Sequence, residues 1–266
     1  MYSVFLATVA DRTSWEWLGI IVERYWLQFL TGAGVTLLIA LSGTLVGFLI
    51  GLIIGVLRTI PKNPKSSLAK RGLRKFADFL LVSYIEIFRG TPMIVQAMVI
   101  YYGAAYVFGM HLMPIGAGFF IVSINTGAYL AEIVRGGILS IDPGQTEAAH
   151  SIGMNHWQTM TFIVLPQAIR NILPAMGNEF VINIKDTSVL NVISVSELFF
   201  ATKSIAGNNF RTFEAFFITC IIYFVMTFSV TRILRLIERK MAGSASYTIH
   251  GSHTAAESEI KIRGGV

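Results

Sequence analysis

The chain has 266 residues, of which 54% are hydrophobic and only 14% are charged, and its mean hydropathy is +0.63. Soluble domains carry roughly 25% charged residues, so this composition excludes an ordinary soluble protein and favours an integral membrane protein. The formal net charge of +6 does not indicate nucleic-acid binding, because the basic residues flank apolar blocks instead of lining a groove with interleaved aromatic residues.

Aromatic residues mark the segment ahead of the first long apolar block. Trp15, Trp17, Tyr25 and Trp26 occur there among a few charged residues. Such residues are typical of the headgroup level of a membrane, where the apolar part of the ring contacts lipid and its polar group contacts water. Residues 1–28 are therefore predicted to be an external, interfacial segment.

Five apolar stretches have the length of a bilayer crossing, which takes about 20 helical residues. They lie near 29–57, 76–102, 113–134, 172–194 and 213–237. The predicted fold is therefore all-α, a polytopic membrane bundle of about five transmembrane helices that occupies residues 29–240. The polar stretch 241–266 lacks apolar periodicity and is predicted to be a disordered cytoplasmic tail.

The basic residues between the spans predict the orientation. Thirteen Lys and Arg residues fall on one side of the membrane, in the loops after the first and third spans and after the fifth span, against four on the other side. Cytoplasmic loops carry the excess of positive charge. We therefore expect the N-terminus outside and the C-terminus in the cytoplasm, which agrees with an odd number of spans.

Four glycines follow one face of the first span. Gly43, Gly47, Gly51 and Gly55 recur at intervals of four residues. This spacing lets a neighbouring backbone approach closely and predicts a helix-packing surface. The sequence leaves open whether the neighbour belongs to the same chain or to a second subunit.

Polar residues interrupt the second span. Its middle holds Glu86, Arg89, Thr91, Pro92 and Gln96. Charges at that depth are costly unless they are paired or wetted, and proline removes a backbone donor, so we expect a break in the helix. Glu86 and Arg89 share a helix face and could neutralise each other. The sequence leaves open whether they support a kink or line a substrate path.

The fourth span carries more polar side chains than a lipid-facing helix can. These residues are Asn178, Glu179, Asn183, Lys185, Asp186, Thr187 and Ser188. Charges of both signs, with amide and hydroxyl groups, offer partners to a carboxylate and to an ammonium group. A polar amino acid is therefore the predicted passenger. Polar contacts between helices are the alternative, which explains Asn183 and Ser188 better than Lys185 and Asp186.

The loop between the third and fourth spans, at 142–166, is too long for a simple connection. Asp142 is a good N-cap, Pro143 suits the first helical position, and Gln145 could complete a capping box. We expect this first helix to run to about Ile152 and to end at Gly153.

A second helix is predicted to follow in the same loop. Asn155 is a capping residue with Gln158 three positions later, and the helix should continue until Pro166 forces a change. The expected product is a helix-turn-helix on the cytoplasmic membrane surface.

This loop resembles the EAA loop of ABC importer permeases. The spaced positions of that motif are all filled, by Glu147, Ala148, Ala149, Gly153, Ile163, Leu165 and Pro166. The run at 88–92, with Glu86 and Gln96 around it, and the run at 185–190 resemble the branch of that family that takes up histidine, glutamine, arginine or glutamate. Together these elements cover most of residues 29–240.

The resemblance implies a division of labour among subunits. Two permeases, identical or paralogous, would enclose a path through the membrane lipid, and an extracytoplasmic substrate-binding protein would deliver a polar amino acid. A dimer of ABC ATPase subunits, with ATP and magnesium, would grip the loops. Glu147 would be the polar contact, Ala148 and Ala149 the close-packing surface, and Gly153 the turn.

No cofactor is expected on this chain, because it contains no GxxxxGK[ST] loop to cradle phosphates. The predicted protein is therefore not an enzyme but a transport subunit of the bacterial inner membrane. An ion-coupled secondary amino-acid transporter is one alternative, since broken polar spans fit it too. A noncatalytic membrane scaffold is another. His150 and His156 lie six residues apart, off a common helix face, and do not indicate a metal site or catalytic site.

Overall fold

The structure, a computed structural model, describes residues 13–60 and 67–241 and two short strands. Its helices are α1 (Ser14–Thr59), α2 (Leu68–Gly90), α3 (Met93–Phe108), α4 (Pro114–Leu139), α5 (Pro143–Ser151), α6 (His156–Gln158), α7 (Leu165–Asp186), α8 (Leu198–Asn209) and α9 (Thr212–Met241). A π-helical segment, Thr159–Val164, precedes α7, and a 3₁₀ segment, Thr187–Ile193, follows it. The predicted all-α membrane bundle is confirmed.

Three unbroken helices and two bent pairs are long and apolar enough to cross a membrane. The unbroken helices are α1, α4 and α9. The chain bends by 113° between α2 and α3, and by 56° between the stretch that ends at Ile193 and α8. The described residues thus hold three candidate spans, or five if each bent pair is one span, and the five predicted crossings fall on these elements. The break expected at Pro92 lies between α2 and α3.

A single helix joins the aromatic N-terminal segment to the first span. α1 has 46 residues, which corresponds to about 69 Å. Thr13 and Glu16 form a capping box at its start, with Thr13 Oγ1 accepting from the Glu16 amide. No break separates residues 14–28 from the predicted span at 29–57, so the expected interfacial segment is continuous with the first crossing.

The glycine face of α1 packs against α4 of the same chain. A Cβ added at Gly43 would lie 2.6 Å from Val122 Cγ1, and one at Gly47 would lie 2.9 Å from Thr126 Cβ. Gly51 meets Leu130, and Gly55 meets Val134, in the same way. The residue numbers increase in the same direction along both helices, so α1 and α4 run parallel. The chain must therefore cross back once between them.

Helix α7 runs antiparallel to this pair, and α9 runs parallel to it. Gly137 packs on Ile172, whereas Gly118 packs on Leu190, so α7 runs antiparallel to α4. α9 returns beside α7, with Leu234 against Gly177. The ends of α1, α4 and α9 that carry the higher residue numbers therefore share one end of the bundle with the loop that follows α4.

The chain after α9 lies mostly outside the described residues. Two strands, β1 (Thr248–His250) and β2 (Glu259–Lys261), pair antiparallel there. The disordered tail expected for 241–266 stays a prediction.

Candidate functional site

Helix α5 lies at one end of the bundle and begins the loop at 142–166, which is called the coupling loop below because it is the predicted contact with the ATPase. Asp142 Oδ1 accepts a hydrogen bond of 2.8 Å from the Gly144 amide, and Pro143 occupies the first helical position. Gln145 does not complete a capping box; its amide instead donates to the Asp142 carbonyl. Helix α5 ends at Ser151, and Gly153 follows with φ of +84°, a left-handed conformation that favours glycine.

The second half of the loop begins with the predicted capping box. The Gln158 amide donates to Asn155 Oδ1 at 3.0 Å, and the Asn155 amide donates to Gln158 Oε1 at 2.9 Å. Pro166 does not interrupt α7, which runs through it; the change expected there is a change of helix type, from the π-helical segment to α7, and it falls at Leu165. The π-helical segment Thr159–Val164 absorbs the missing proline donor, because a wider turn shifts the hydrogen-bond register just before Pro166.

The loop presents part of its motif outward and anchors the rest. Glu147 and Ala148 are exposed, whereas Ala149 is buried. Gly153 and Pro166 are exposed, and Ile163 and Leu165 are half-buried. Buried Met160 and Val164 pack with Val134 and Ile138 of α4 in one apolar cluster. The exposed face of α5 is thus mounted on the transmembrane bundle through apolar packing.

The break between α2 and α3 is held by a buried glutamine. Gln96 Nε2 donates to the Phe88 carbonyl and the Thr91 carbonyl, both at 2.9 Å, and lies 2.8 Å from Thr91 Oγ1. Asn125 of α4 donates to Gln96 Oε1 at 2.9 Å. The Gln96 side chain therefore satisfies carbonyls that the broken helix leaves without an amide partner.

A second buried amide connects three helices at the depth of the glycine face. Asn183 of α7 donates to Thr44 Oγ1 of α1 at 2.8 Å and to Thr126 Oγ1 of α4 at 2.9 Å. Thr187 is also buried, and its hydroxyl donates to the Ile184 carbonyl at 3.0 Å. These polar groups bind their own chain, as expected for interhelical contacts in a membrane.

Arg89 of α2 and two carboxylates of α7, Glu179 and Asp186, form an uncovered polar face. Glu86, Arg89, Asn178 and Asp186 are exposed, and Glu179 is half-buried. The Arg89 guanidinium lies over the Tyr129 ring, 5.5 Å from its centroid. Arg89 and Asp186 are the charged neighbours of Glu179. The fold therefore brings groups of both signs from α2 and α7 to one face.

Lys185 lies on a different side of α7. It lines a cavity of about 400 Å³ between α7 and α9, together with Arg232 and Arg235. Ser188 is half-buried, and its carbonyl accepts from Asn191 Nδ2 at 2.7 Å. Glu86 and Arg89, which the sequence placed on one face, form no salt bridge within the part of the chain that the structure describes.

Comparison with known proteins identifies the family. Residues 62–243, which include α2 to α9, match the family described as "Binding-protein-dependent transport system inner membrane component". The chain belongs to this family of ABC importer permeases. The permease is therefore the transport subunit, and ATP hydrolysis belongs to a separate ATPase subunit. The predictions of an importer permease and of a non-enzyme are confirmed.

Relatives and solved structures agree with this assignment. The permease is 40% identical over 166 residues to the glutamine transport system permease protein GlnP of Escherichia coli, covering 62% of this chain and 76% of that protein. It is 40% identical over 161 residues to the probable amino-acid permease protein YxeN of Bacillus subtilis, covering 60% and 72%. One solved structure, described as an amino acid ABC transporter with histidines, shares 39% identity with a TM-score of 0.72, covering 82% of this chain and 96% of that one.

A more distant structure shares the fold alone. The MetNI methionine ABC transporter in an inward-facing conformation has a TM-score of 0.69 at 17% identity, covering 82% of this chain and 98% of that one. The family places the permease in the inner membrane and implies, in general, an ATPase partner and a substrate-binding protein.

One ionic cluster of the permease was missed by reasoning from the sequence. Glu132 of α4 pairs with Arg58 at the end of α1 and with Arg135, whose Nη2 lies 2.8 Å from Glu132 Oε2. The spacing of Glu132 and Arg135 by three residues inside an apolar block was the available signal. This spacing did not predict Arg58 as the partner on α1, because α1 and α4 meet only in the folded bundle.

A buried glutamate of the permease was missed as well. Glu197 has no exposed surface, and its carboxylate accepts 2.8 Å hydrogen bonds from the Phe199 and Phe200 amides at the start of α8. Tyr223 of α9 donates to the same carboxylate at 3.2 Å. Glu197 thus caps α8 and joins it to α9, and little in the sequence signals this role, because glutamate is not among the preferred N-cap residues.

Proposed function

We propose that this permease imports a polar amino acid across the bacterial inner membrane. The observation that carries the proposal is the uncovered face with Arg89 on α2 and with Glu179 and Asp186 on α7. A cation and two carboxylates at membrane depth offer partners to both ends of a zwitterion. The relatives named for glutamine and amino-acid transport support the same class of substrate.

The proposed path uses the exposed and half-buried polar groups of this face. Glu86, Arg89, Asn178, Glu179 and Asp186 would contact the substrate or its water. Thr91, Gln96, Asn183 and Thr187, which bind their own chain, would hold the surrounding helices in place. This division separates the residues by whether their polar atoms are available to a ligand.

A second permease, identical or paralogous, is proposed to cover the same face. Charged side chains that face lipid cost several kcal/mol, so an uncovered face with charges of both signs favours a protein neighbour. The path would then lie between the two subunits.

An ATPase dimer, carrying ATP and magnesium, is proposed to grip the two coupling loops. Glu147 and Ala148 are exposed on α5, while the rest of the loop packs on α4. Closure of the nucleotide sites would therefore move α4 and α7 as bodies and alternate access to the path. The coupling loop and the C-terminus would lie in the cytoplasm and the N-terminus outside, where the binding protein delivers substrate.

Reconstituted uptake tests the proposal. Vesicles that contain the permease, the ATPase and the binding protein should accumulate a radiolabelled polar amino acid only when ATP is enclosed with the ATPase. A panel of glutamine, glutamate, histidine and arginine would identify the preferred substrate. Accumulation by the permease alone, driven by an ion gradient, would contradict the proposal and favour a secondary transporter.

Substitution of the two carboxylates tests the path. Glu179→Gln and Asp186→Asn should each lower uptake at least about tenfold, since losing a hydrogen bond to a charged group costs about 1.5–3 kcal/mol. Association with the ATPase should be retained. Glu23→Gln, an exposed position on α1, is the matched control and should transport normally. Unchanged uptake kinetics in both path variants would remove these residues from the path.

A further inference from the structure

A cavity between α7 and α9 gathers three cations outside the proposed path. It has a volume of about 400 Å³, and Lys185, Arg232 and Arg235 line it, with no acidic residue among its lining. Asp186 is a charged neighbour of Lys185. In the described part of the chain, no carboxylate makes a salt bridge with Arg232 or Arg235. The cavity therefore offers positive charge without a carboxylate of its own.

Because α7 and α9 run in opposite directions, their cationic side chains point toward one another. Helical side chains lean toward the N-terminus of their own helix. α7 and α9 are antiparallel, so Lys185 leans toward the end of the bundle that carries the coupling loop, and Arg232 and Arg235 lean away from that end. The Arg232 guanidinium is also held over the Phe228 ring, 4.8 Å from its centroid. Cations from both helices thus converge on one space.

The hydroxyl groups of the cavity are not free to donate hydrogen bonds to a ligand. Thr227 Oγ1 donates to the Tyr223 carbonyl at 2.9 Å, and Thr231 Oγ1 donates to the Thr227 carbonyl at 2.7 Å. Their protons are committed to the helix, so the donors free to bind a ligand are the three cationic groups. Such a set recognises an anion with several acceptor oxygens.

An apolar stripe continues from the cations along the exposed face of α9. It consists of Phe213, Phe217, Phe224 and Phe228, which pack in two pairs with ring centroids 6.0 Å and 5.7 Å apart. From Phe213 to Arg232 the helix rises about 28 Å, which is close to the hydrocarbon thickness of roughly 30 Å. Arg232 and Arg235 therefore lie where the apolar layer ends, on the side of the coupling loop, and Lys185 lies deeper.

We propose that this cavity binds the phosphodiester headgroup of an anionic phospholipid, with an acyl chain along the phenylalanine stripe. Basic pockets between transmembrane helices are suited to such headgroups. Arg232 and Arg235 would contact the phosphate oxygens, and Lys185 would reach them from the deeper level of α7. The site is a lipid site of the leaflet that faces the coupling loop, and it does not depend on which amino acid is transported.

Lipid retention by the purified importer tests the site. The complex is reconstituted in nanodiscs of mixed phosphatidylcholine and phosphatidylglycerol, released, and examined by native mass spectrometry. The unmodified complex should retain phosphatidylglycerol in preference to phosphatidylcholine. Arg232→Gln with Arg235→Gln should weaken retention about fivefold per cation removed. Arg239→Gln with Lys240→Gln, the same charge change on the same helix outside the cavity, should retain the lipid.

Three results would overturn the proposal. One is equal retention of the two lipids by the unmodified complex, which needs no variant and so does not depend on folding. Another is displacement of phosphatidylglycerol by the transported amino acid, which would assign the cavity to the path. The third is disulfide formation between two copies carrying Phe224→Cys with Cys220→Ser, which would show that a second permease covers the stripe. Lipid retention is measured without transport, so its failure is distinguishable from failure of the proposed import.

Discussion

Asn183 is the residue on which three transmembrane helices converge. Its amide binds Thr44 of α1 and Thr126 of α4, and its side chain is buried. Contact between helices was one of the two interpretations of Asn183 from the sequence, but its partners were not predicted, because threonine is common in apolar spans and neither partner stands out in the sequence. The structure therefore separates Asn183 from Glu179, although both belong to the same polar stripe in the sequence.

Replacing Asn183 should destabilise the bundle. Asn183→Ala removes the interhelical hydrogen bonds to both Thr44 and Thr126, which together contribute about 1–2 kcal/mol in a membrane. We expect a lower temperature of aggregation in detergent, measured by size-exclusion chromatography after heating. Asn178→Ala, on the exposed face of the same helix, is the control and should keep the parent temperature. Equal losses in the two variants would contradict a special structural role for Asn183.

The parallel pair of α1 and α4 depends on close backbone approach. A Cβ at Gly51 would lie 2.8 Å from both the amide nitrogen of Ala131 and the carbonyl carbon of Leu130. Backbone atoms cannot turn away as a flexible side chain can, so the helices would have to separate. The four glycines predicted a packing surface, but the partner was open until the bundle was known, because the same spacing serves helices within and between chains.

Gly51→Ala should therefore destabilise the pair by about 1–3 kcal/mol, the usual cost of overpacking a filled interface. Gly34→Ala is the matched control on the same helix, since nothing lies within 4 Å of a Cβ there, and it should be neutral or stabilising. Thermal aggregation of both variants measures the difference. A Gly51→Ala variant as stable as the control would mean that α1 and α4 are less closely packed than this structure has them.

The turn after α5 gives a prediction at the level of the coupling loop. Gly153 has φ of +84°, so Gly153→Ala should strain the turn by about 1–2 kcal/mol and weaken ATPase binding. Gly109→Ala introduces a Cβ at φ of +65° after α3, at the opposite end of the bundle, and controls for strain itself. Co-purification of the ATPase should fall for the first variant alone. A loss shared by both would indicate general misfolding.

At the scale of the whole molecule, features that depend on residues close in the sequence were predicted better than contacts between residues far apart in the sequence. The capping box of Asn155 and Gln158 and the break at Pro92 depend on neighbouring residues, and both were read correctly. At Pro166 the sequence predicted a change but not its kind, because proline removes a donor without dictating that a π-helical segment replaces the lost bond. Glu132 pairs across 74 residues with Arg58, a distance that no local pattern encodes.

The direction of the chain through the membrane gives the last prediction. Because α1, α4 and α9 run the same way, Ser14 and Ser151 lie at opposite ends of the bundle, and both are exposed. The excess of basic residues at the Ser151 end favours the cytoplasm. With Cys220→Ser as background, a membrane-impermeant maleimide should label Ser14→Cys in intact spheroplasts, and Ser151→Cys only after permeabilisation. The reverse pattern would invert the orientation and remove the loop from reach of a cytoplasmic ATPase.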